Sequence, residues 1–150
     1  MQLKEISPTT FLFFKTETHL NELGRFIPVG QELFQEAVKQ KLFITGPIHW
    51  HYFGFTGEPD KPFTLEVALP ISEAPADYDG VFHIKRTEPF KSAVTVHEGN
   101  WQTLPDAYGR LIQFMHDNKL KPNGATREIY INSDLHAPAA NVTMIQMGVE

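Results

Sequence analysis

The apolar positions along the chain fall into short blocks whose period changes from block to block. Phe11 to Thr16 (FLFFKT) is an unbroken apolar run of strand length. From Gly30 to Lys41 the period lengthens: Leu33, Phe34, Ala37, Val38 and Leu42 recur at helical spacing between Gln, Glu and Lys. Gly46-Pro47 breaks that pattern. An aromatic strand, His49 to Phe55 (HWHYFGF), follows, then a polar turn over Thr56 to Pro62. Phe63 to Ile71 (FTLEVALPI) alternates, with Leu65, Val67, Leu69 and Ile71 on one face. The first half therefore reads βαββ.

The second half repeats that order. Ser92 to His97 (SAVTVH) reads as a strand. Thr103 is placed as a helix N-cap, with Pro105 in the first turn and Asp106 at N3. The helix carries Leu104, Ala107, Tyr108, Leu111, Ile112 and Met115 along one stripe, and Pro122-Asn123-Gly124 ends the connection. Arg127 to Asn132 (REIYIN) and Val142 to Val149 (VTMIQMGV) are the paired strands. The halves also share a register: Leu42 and Leu120 lie 120 − 42 = 78 apart, as do Gly46 and Gly124, Tyr52 and Tyr130, and Val67 and Ile145. A constant offset through a helix end, a turn and two strands points to tandem duplication. The expected architecture is a single α+β domain over residues 1–150, built from two βαββ modules of about 8–72 and 81–150 with antiparallel sheets, two main helices and a central ligand groove. Such seams between similar halves favour pockets.

Composition narrows the function. The 150 residues hold 41% hydrophobic and 21% charged side chains, so neither disorder nor a membrane span is expected. MQLKEISPTT has no apolar signal region, and a cytoplasmic location follows by default. There is no cysteine, which removes disulfides, thiolate metal sites and a cysteine nucleophile. Thirteen basic against eighteen acidic residues give a net charge of −5, with no general attraction for nucleic acid or an anionic membrane.

Gly46-Pro47 leading into an aromatic strand, the segments FTLEVALPI (63–71) and HEGNWQTL (97–104), Ala107-Tyr108 with Leu111, Gly124, and Arg127-Glu128 with Tyr130 together carry a resemblance over nearly the whole chain. The sequence resembles the GyrI-like domains, also called AraC-type effector-binding domains. That resemblance implies two βαββ modules around a ligand groove that takes drug-like, often cationic and aromatic compounds, in transcription regulators or in free-standing proteins. Some free-standing members resemble hydrolases that open strained cyclopropane rings. The family's key acidic residue falls on Glu128. About ten residues precede the first strand-like run, too few for a helix-turn-helix, so no direct role in transcription is expected.

Glu128 is the leading candidate from the residues as well. Strand alternation puts Glu128, Tyr130 and Asn132 on one face and Ile129 and Ile131 on the other. The repeat sets Trp50 against Glu128 and Tyr52 against Tyr130, so one carboxylate would sit among electron-rich rings, a setting for a flat cation. The bland alternative is an exposed strand Glu paired with a Lys or Arg other than Arg127. Trp101 and Tyr108 flank the second helix start and serve either the core or a pocket wall. Glu66 faces either the groove or solvent. His49 and His51 form an H-x-H pair that would need His97, His136 or a carboxylate to hold a metal, and nothing in the spacing requires one. No cofactor is expected. No nucleophile elbow or phosphate loop is present. Three readings stand: a module that sequesters or senses a small, aromatic or cationic ligand through Glu128, Trp50, Tyr52, Tyr130 and Trp101; a hydrolase in which Glu128 activates water; and an inhibitory protein–protein interaction module.

Overall fold

A computed structural model describes all residues, 1–150. The strands are β1 (Gln2–Ile6), β2 (Thr10–Thr18), β3 (His49–Phe53), β4 (Phe63–Ile71), β5 (His83–Arg86), β6 (Phe90–Glu98), β7 (Pro122–Asn132) and β8 (Val142–Val149), and the helices are α1 (Ile27–Lys39) and α2 (Leu104–Asp117). All eight strands form one antiparallel sheet in the order β1-β6-β8-β7-β3-β4-β2-β5. The expected α+β architecture with two main helices is present, as a single sheet. No helix is long and apolar enough to cross a membrane.

The two edge strands β1 and β5 were not legible in the sequence, because QLKEI and HIKR are short, mix charged with apolar residues and bury none of their positions fully. Other boundaries moved too. Helix α1 begins at Ile27, with Pro28 at its start where a missing N–H costs nothing. Strand β7 begins at Pro122, inside the segment expected to be a turn. Thr103 does not cap α2 through its side chain; its hydroxyl donates to the Asn100 carbonyl (2.7 Å) and lies 2.8 Å from His97 Nε2.

The order of strands reads the same from either end when β1 is exchanged for β5, β6 for β2, β8 for β4 and β7 for β3. The same 78-residue offset relates Val29, Leu33 and Ala37, the buried row of α1, to Ala107, Leu111 and Met115 in α2. It also relates the helix ends. Lys41 and Lys119 both take the left-handed conformation (φ 59° and 56°), and Leu42 and Leu120 donate back to Ala37 and Met115, each at 2.8 Å. These are two Schellman closures, each with its apolar C″ residue in the core. The geometry is consistent with tandem duplication. The apolar stripes are narrower than the sequence pattern suggested, since Phe34, Val38 and Ile112 are exposed.

Both helices pack on one face of the sheet: α1 over Leu12, Leu65, Val67 and Leu69, and α2 over Ala93, Ile145 and Val149. The other face curls inward. Only Ser7 to Thr9 separate β1 from β2, and Thr87 to Pro89 separate β5 from β6, at opposite edges of the sheet. Thr9 and Thr87 bond each other through Thr9 N–H to Thr87 Oγ1 (3.0 Å) and Thr87 N–H to the Thr9 carbonyl (2.9 Å). This contact continues the β2–β5 ladder one rung beyond Thr10↔Arg86, and the two short linkers draw the ends of the sheet together, while the outer sides of β1 and β5 keep no strand partner.

Two stability outcomes follow. Lys41→Gly and Lys119→Gly remove left-handed strain and should each raise unfolding stability by roughly 0.5–1 kcal/mol, additively because the sites do not touch; chemical denaturation measures both. Leu33→Ala and Leu111→Ala, at fully buried positions, should each lower stability by about 3 kcal/mol in the same assay.

Candidate functional site

The middle of the sheet is the β3–β7 seam, where Trp50 pairs with Glu128, His51 with Arg127 and Tyr52 with Thr126. Trp50 and Glu128 are also equivalents under the 78-residue offset. They are thus the pair at which the pseudo-twofold relation between the halves meets itself, and there the halves differ most in chemistry. Side chains of Trp50, Tyr52, Glu128 and Tyr130 alternate onto the helix-bearing face.

Glu128 is 7% exposed and receives three phenol hydroxyls. Tyr52 from β3 donates to Oε1 at 3.2 Å, Tyr130 from β7 donates to the same oxygen, and Tyr108 from α2 donates to Oε2 at 2.5 Å. None of the six ion pairs of the structure includes Glu128. Burial raises its pKa above the usual carboxylate range, opposed by the bonds from Tyr108, Tyr130 and Tyr52. Burial and the neighbouring carboxylate together push all three phenols well above their ordinary pKa, so they stay protonated as donors. A carboxylate offers about four acceptor positions, and three are taken.

The rings form a row around this group. Tyr130 meets Trp50 edge to face (6.1 Å, 87°) and Trp101 likewise (5.7 Å, 72°). Trp101, in the short turn Trp101–Thr103 before α2, is anchored by its indole N–H on Thr143 Oγ1 of β8 (3.2 Å). Tyr52 packs with Phe63 in the core under α1 and meets the exposed Phe55 at its rim. Under the offset Tyr52 answers to Tyr130, so both halves keep one phenol on the carboxylate, whereas Tyr108 answers to Gly30.

Six of the seven candidate residues converge: Glu128, Trp50, Tyr52, Tyr130, Trp101 and Tyr108. Glu66 does not join them. It lies on the opposite face, buried, in an ion pair with Lys85. His49 and His51 also lie on that face, with Nδ1 of the first 3.1 Å from Nε2 of the second. His97 is bonded beside Thr103, away from them, and no three metal-ligating side chains come together. The pattern left one feature unread, the convergence of three phenols on one carboxylate, because Tyr108 reaches Glu128 only through the seating of α2. Surface concavities of about 510 Å³, by Arg110 and Phe114, and about 350 Å³, by Glu36 and Phe82, lie elsewhere and carry no buried polar group of this kind.

The same fold occurs in solved structures. The chain superposes over 99% of its length on the C-terminal domain of EcmrR (TM-score 0.80, 21% identity, 96% of that chain). It matches 56% of the EcmrR chain in the cryo-EM structure of the EcmrR–DNA complex in EcmrR-RPo (TM-score 0.82, 21% identity, 99% of this chain), so it spans little more than half of that protein. SAV2435 bound to tetraphenylphosphonium (TM-score 0.66, 16% identity, 99% and 93% covered) and a hydrolase encoded by lin2189 from Listeria innocua (TM-score 0.75, 14% identity, 99% and 91% covered) share it. No curated protein matches by sequence. The family model for the GyrI-like small molecule binding domain matches residues 1–150, and the chain belongs to that family.

Proposed function

We propose that this chain captures a lipophilic, aromatic cation against Glu128 on the helix-bearing face. The carrying observation is a buried carboxylate held by three phenols with no cationic side chain paired to it. Tyrosine donors orient the charge without cancelling it, so the site supplies a full negative charge in a half-dry setting. At an effective dielectric constant of ~20, a cation ~5 Å away gains about 3 kcal/mol. Each ring face contributes a further ~0.5–2 kcal/mol. Trp50, Tyr130 and Trp101 touch edge to face, and a ligand ring would enter by replacing one of those contacts with a stacked one. The binding of tetraphenylphosphonium by SAV2435, a protein of the same fold, is in line with this chemistry. Water activation by Glu128 fits less well, since three acceptor positions are already committed to phenol protons.

Both tryptophans of the chain are at this site, so intrinsic fluorescence reports on it directly. Tetraphenylphosphonium should quench that fluorescence saturably, and tetraphenylborate, the anion of the same shape, should not. Glu128→Gln, which keeps the size and the acceptor oxygen, should weaken the cation at least ~10-fold. Equal affinity for the two probes, or an unchanged Glu128→Gln variant, would sink the reading.

Acid should weaken capture from an unusually high pH. The raised pKa of Glu128 means that its proton returns above the ordinary carboxylate range as pH falls. Below that raised value the apparent affinity should drop about 10-fold per pH unit, and Glu128→Gln should flatten the profile. Titration of probe binding between about pH 4 and 8 measures this.

A further inference from the structure

The second face of the sheet carries a polar row that the Glu128 site does not use. Because Glu66 pairs with His51, His51 with Arg127 and Arg127 with Gln146 across β4, β3, β7 and β8, these four side chains lie abreast inside the curled sheet. All are buried: His51 is 1% exposed, Gln146 5% and Arg127 8%. Ser92 of β6 is fully buried on the same face. The charges in this interior do not balance. Lys85 is matched by Glu66. Arg127 has no carboxylate within ion-pair distance, and the arginines that form side-chain hydrogen bonds are Arg25 and Arg86. Glu128, its neighbour in sequence, points out of the other face. What surrounds the Arg127 guanidinium is aromatic: the Phe90 ring lies 4.0 Å away and the Phe11 ring 6.0 Å.

Three polar atoms here are buried without a partner, His51 Nδ1, Ser92 Oγ and Gln146 Oε1, whereas the Arg127 nitrogens keep some contact with solvent. A buried polar atom left unbonded is costly. Water can meet the hydrogen bonds, but the one carboxylate that acts on the guanidinium charge, Glu66, lies beyond ion-pair distance and is already paired with Lys85. The histidines cannot supply a negative charge, and they stay neutral: burial first, then Arg127 and Lys85, holds His49 at about 3, and burial, His49 and the same two cations hold His51 well below its ordinary value.

We propose that the interior of the curled sheet is a second binding site, which takes a small carboxylate or oxyanion on Arg127 with hydrogen bonds from Ser92 and His51. A guanidinium fork suits a planar two-oxygen acceptor, and the Phe11 and Phe90 rings beside it suit a short apolar tail. The domain would then hold two ligands of opposite charge on opposite faces of one strand, through the adjacent residues Arg127 and Glu128.

The test is an NMR titration of the full chain with sodium acetate and, separately, inorganic phosphate, at constant ionic strength. Acetate should shift the Arg127 Nε–H and His51 ring signals saturably; a stronger response to phosphate would assign the site to inorganic oxyanions instead. Ser92→Ala should weaken the response several-fold, and Arg127→Met should abolish it. Should Arg127→Met fail to fold, Ser92→Ala and Gln146→Leu still decide. No saturation by about 100 mM of either probe, an unaltered response in Ser92→Ala, or electron density showing only water beside Arg127 in acetate-soaked crystals would overturn the proposal.

Discussion

The continuous antiparallel track in which β1–β2 runs against β5–β6, through the Thr9–Thr87 rung, draws the two ends of the eight-stranded sheet together, and the rest of the molecule is arranged around that curl. With its ends drawn together the sheet curls, only the short strands β1 and β5 are left as edges, and its two faces become unequal. The outward face must be covered by α1 and α2 because it carries the leucine, isoleucine and valine of β4 and β8. The inward face carries no helix and is lined by its own long side chains, Phe11, Phe13, Arg127 and Lys85 among them.

On the outward face, the buried carboxylate and its phenols sit where the pseudo-symmetry is locally broken. Away from the central seam the halves repeat each other down to the helix closures at Lys41 and Lys119. At the seam, an indole in one half stands beside a carboxylate in the other. A carboxylate at both positions would place like charges side by side in a dry setting, which is unfavourable. Two indoles would offer no charge. The equivalent phenols Tyr52 and Tyr130 both reach the single carboxylate, Tyr52 across the seam and Tyr130 from the same strand. Glycine at 30, in the place that Tyr108 occupies in the second half, leaves α1 without a fourth phenol over Glu128.

Much of this was readable from residue order. The helical rows, the alternation of FTLEVALPI and the recurrence at 78 residues are local or periodic signals, and they led to the α+β repeat and to the Trp50–Glu128 correspondence. What escaped had a physical reason in each case. The edge strands β1 and β5 are polar because neither of their faces is well buried. Thr103 turned its hydroxyl to Asn100 because a short helical turn precedes α2 and relocates the chain's first free N–H groups. Glu66 was assigned no side, since alternation sorts residues within a strand but does not say which face carries the helices.

The sequence by itself determined the periods: which residues share a face, where helices end, and which positions repeat. Those follow from backbone geometry and nearest-neighbour sterics. Only the tertiary structure decided what each face meets. Strand register placed Arg127 beside His51 and Gln146, the seating of α2 brought Tyr108 onto Glu128, and the curl that brings Arg127 over the Phe11 and Phe90 rings turned a plain sheet face into an interior. Two neighbouring residues of opposite charge, Arg127 and Glu128, thereby enter separate environments, because a strand sends consecutive side chains to opposite sides and curling gave those sides different dielectric surroundings.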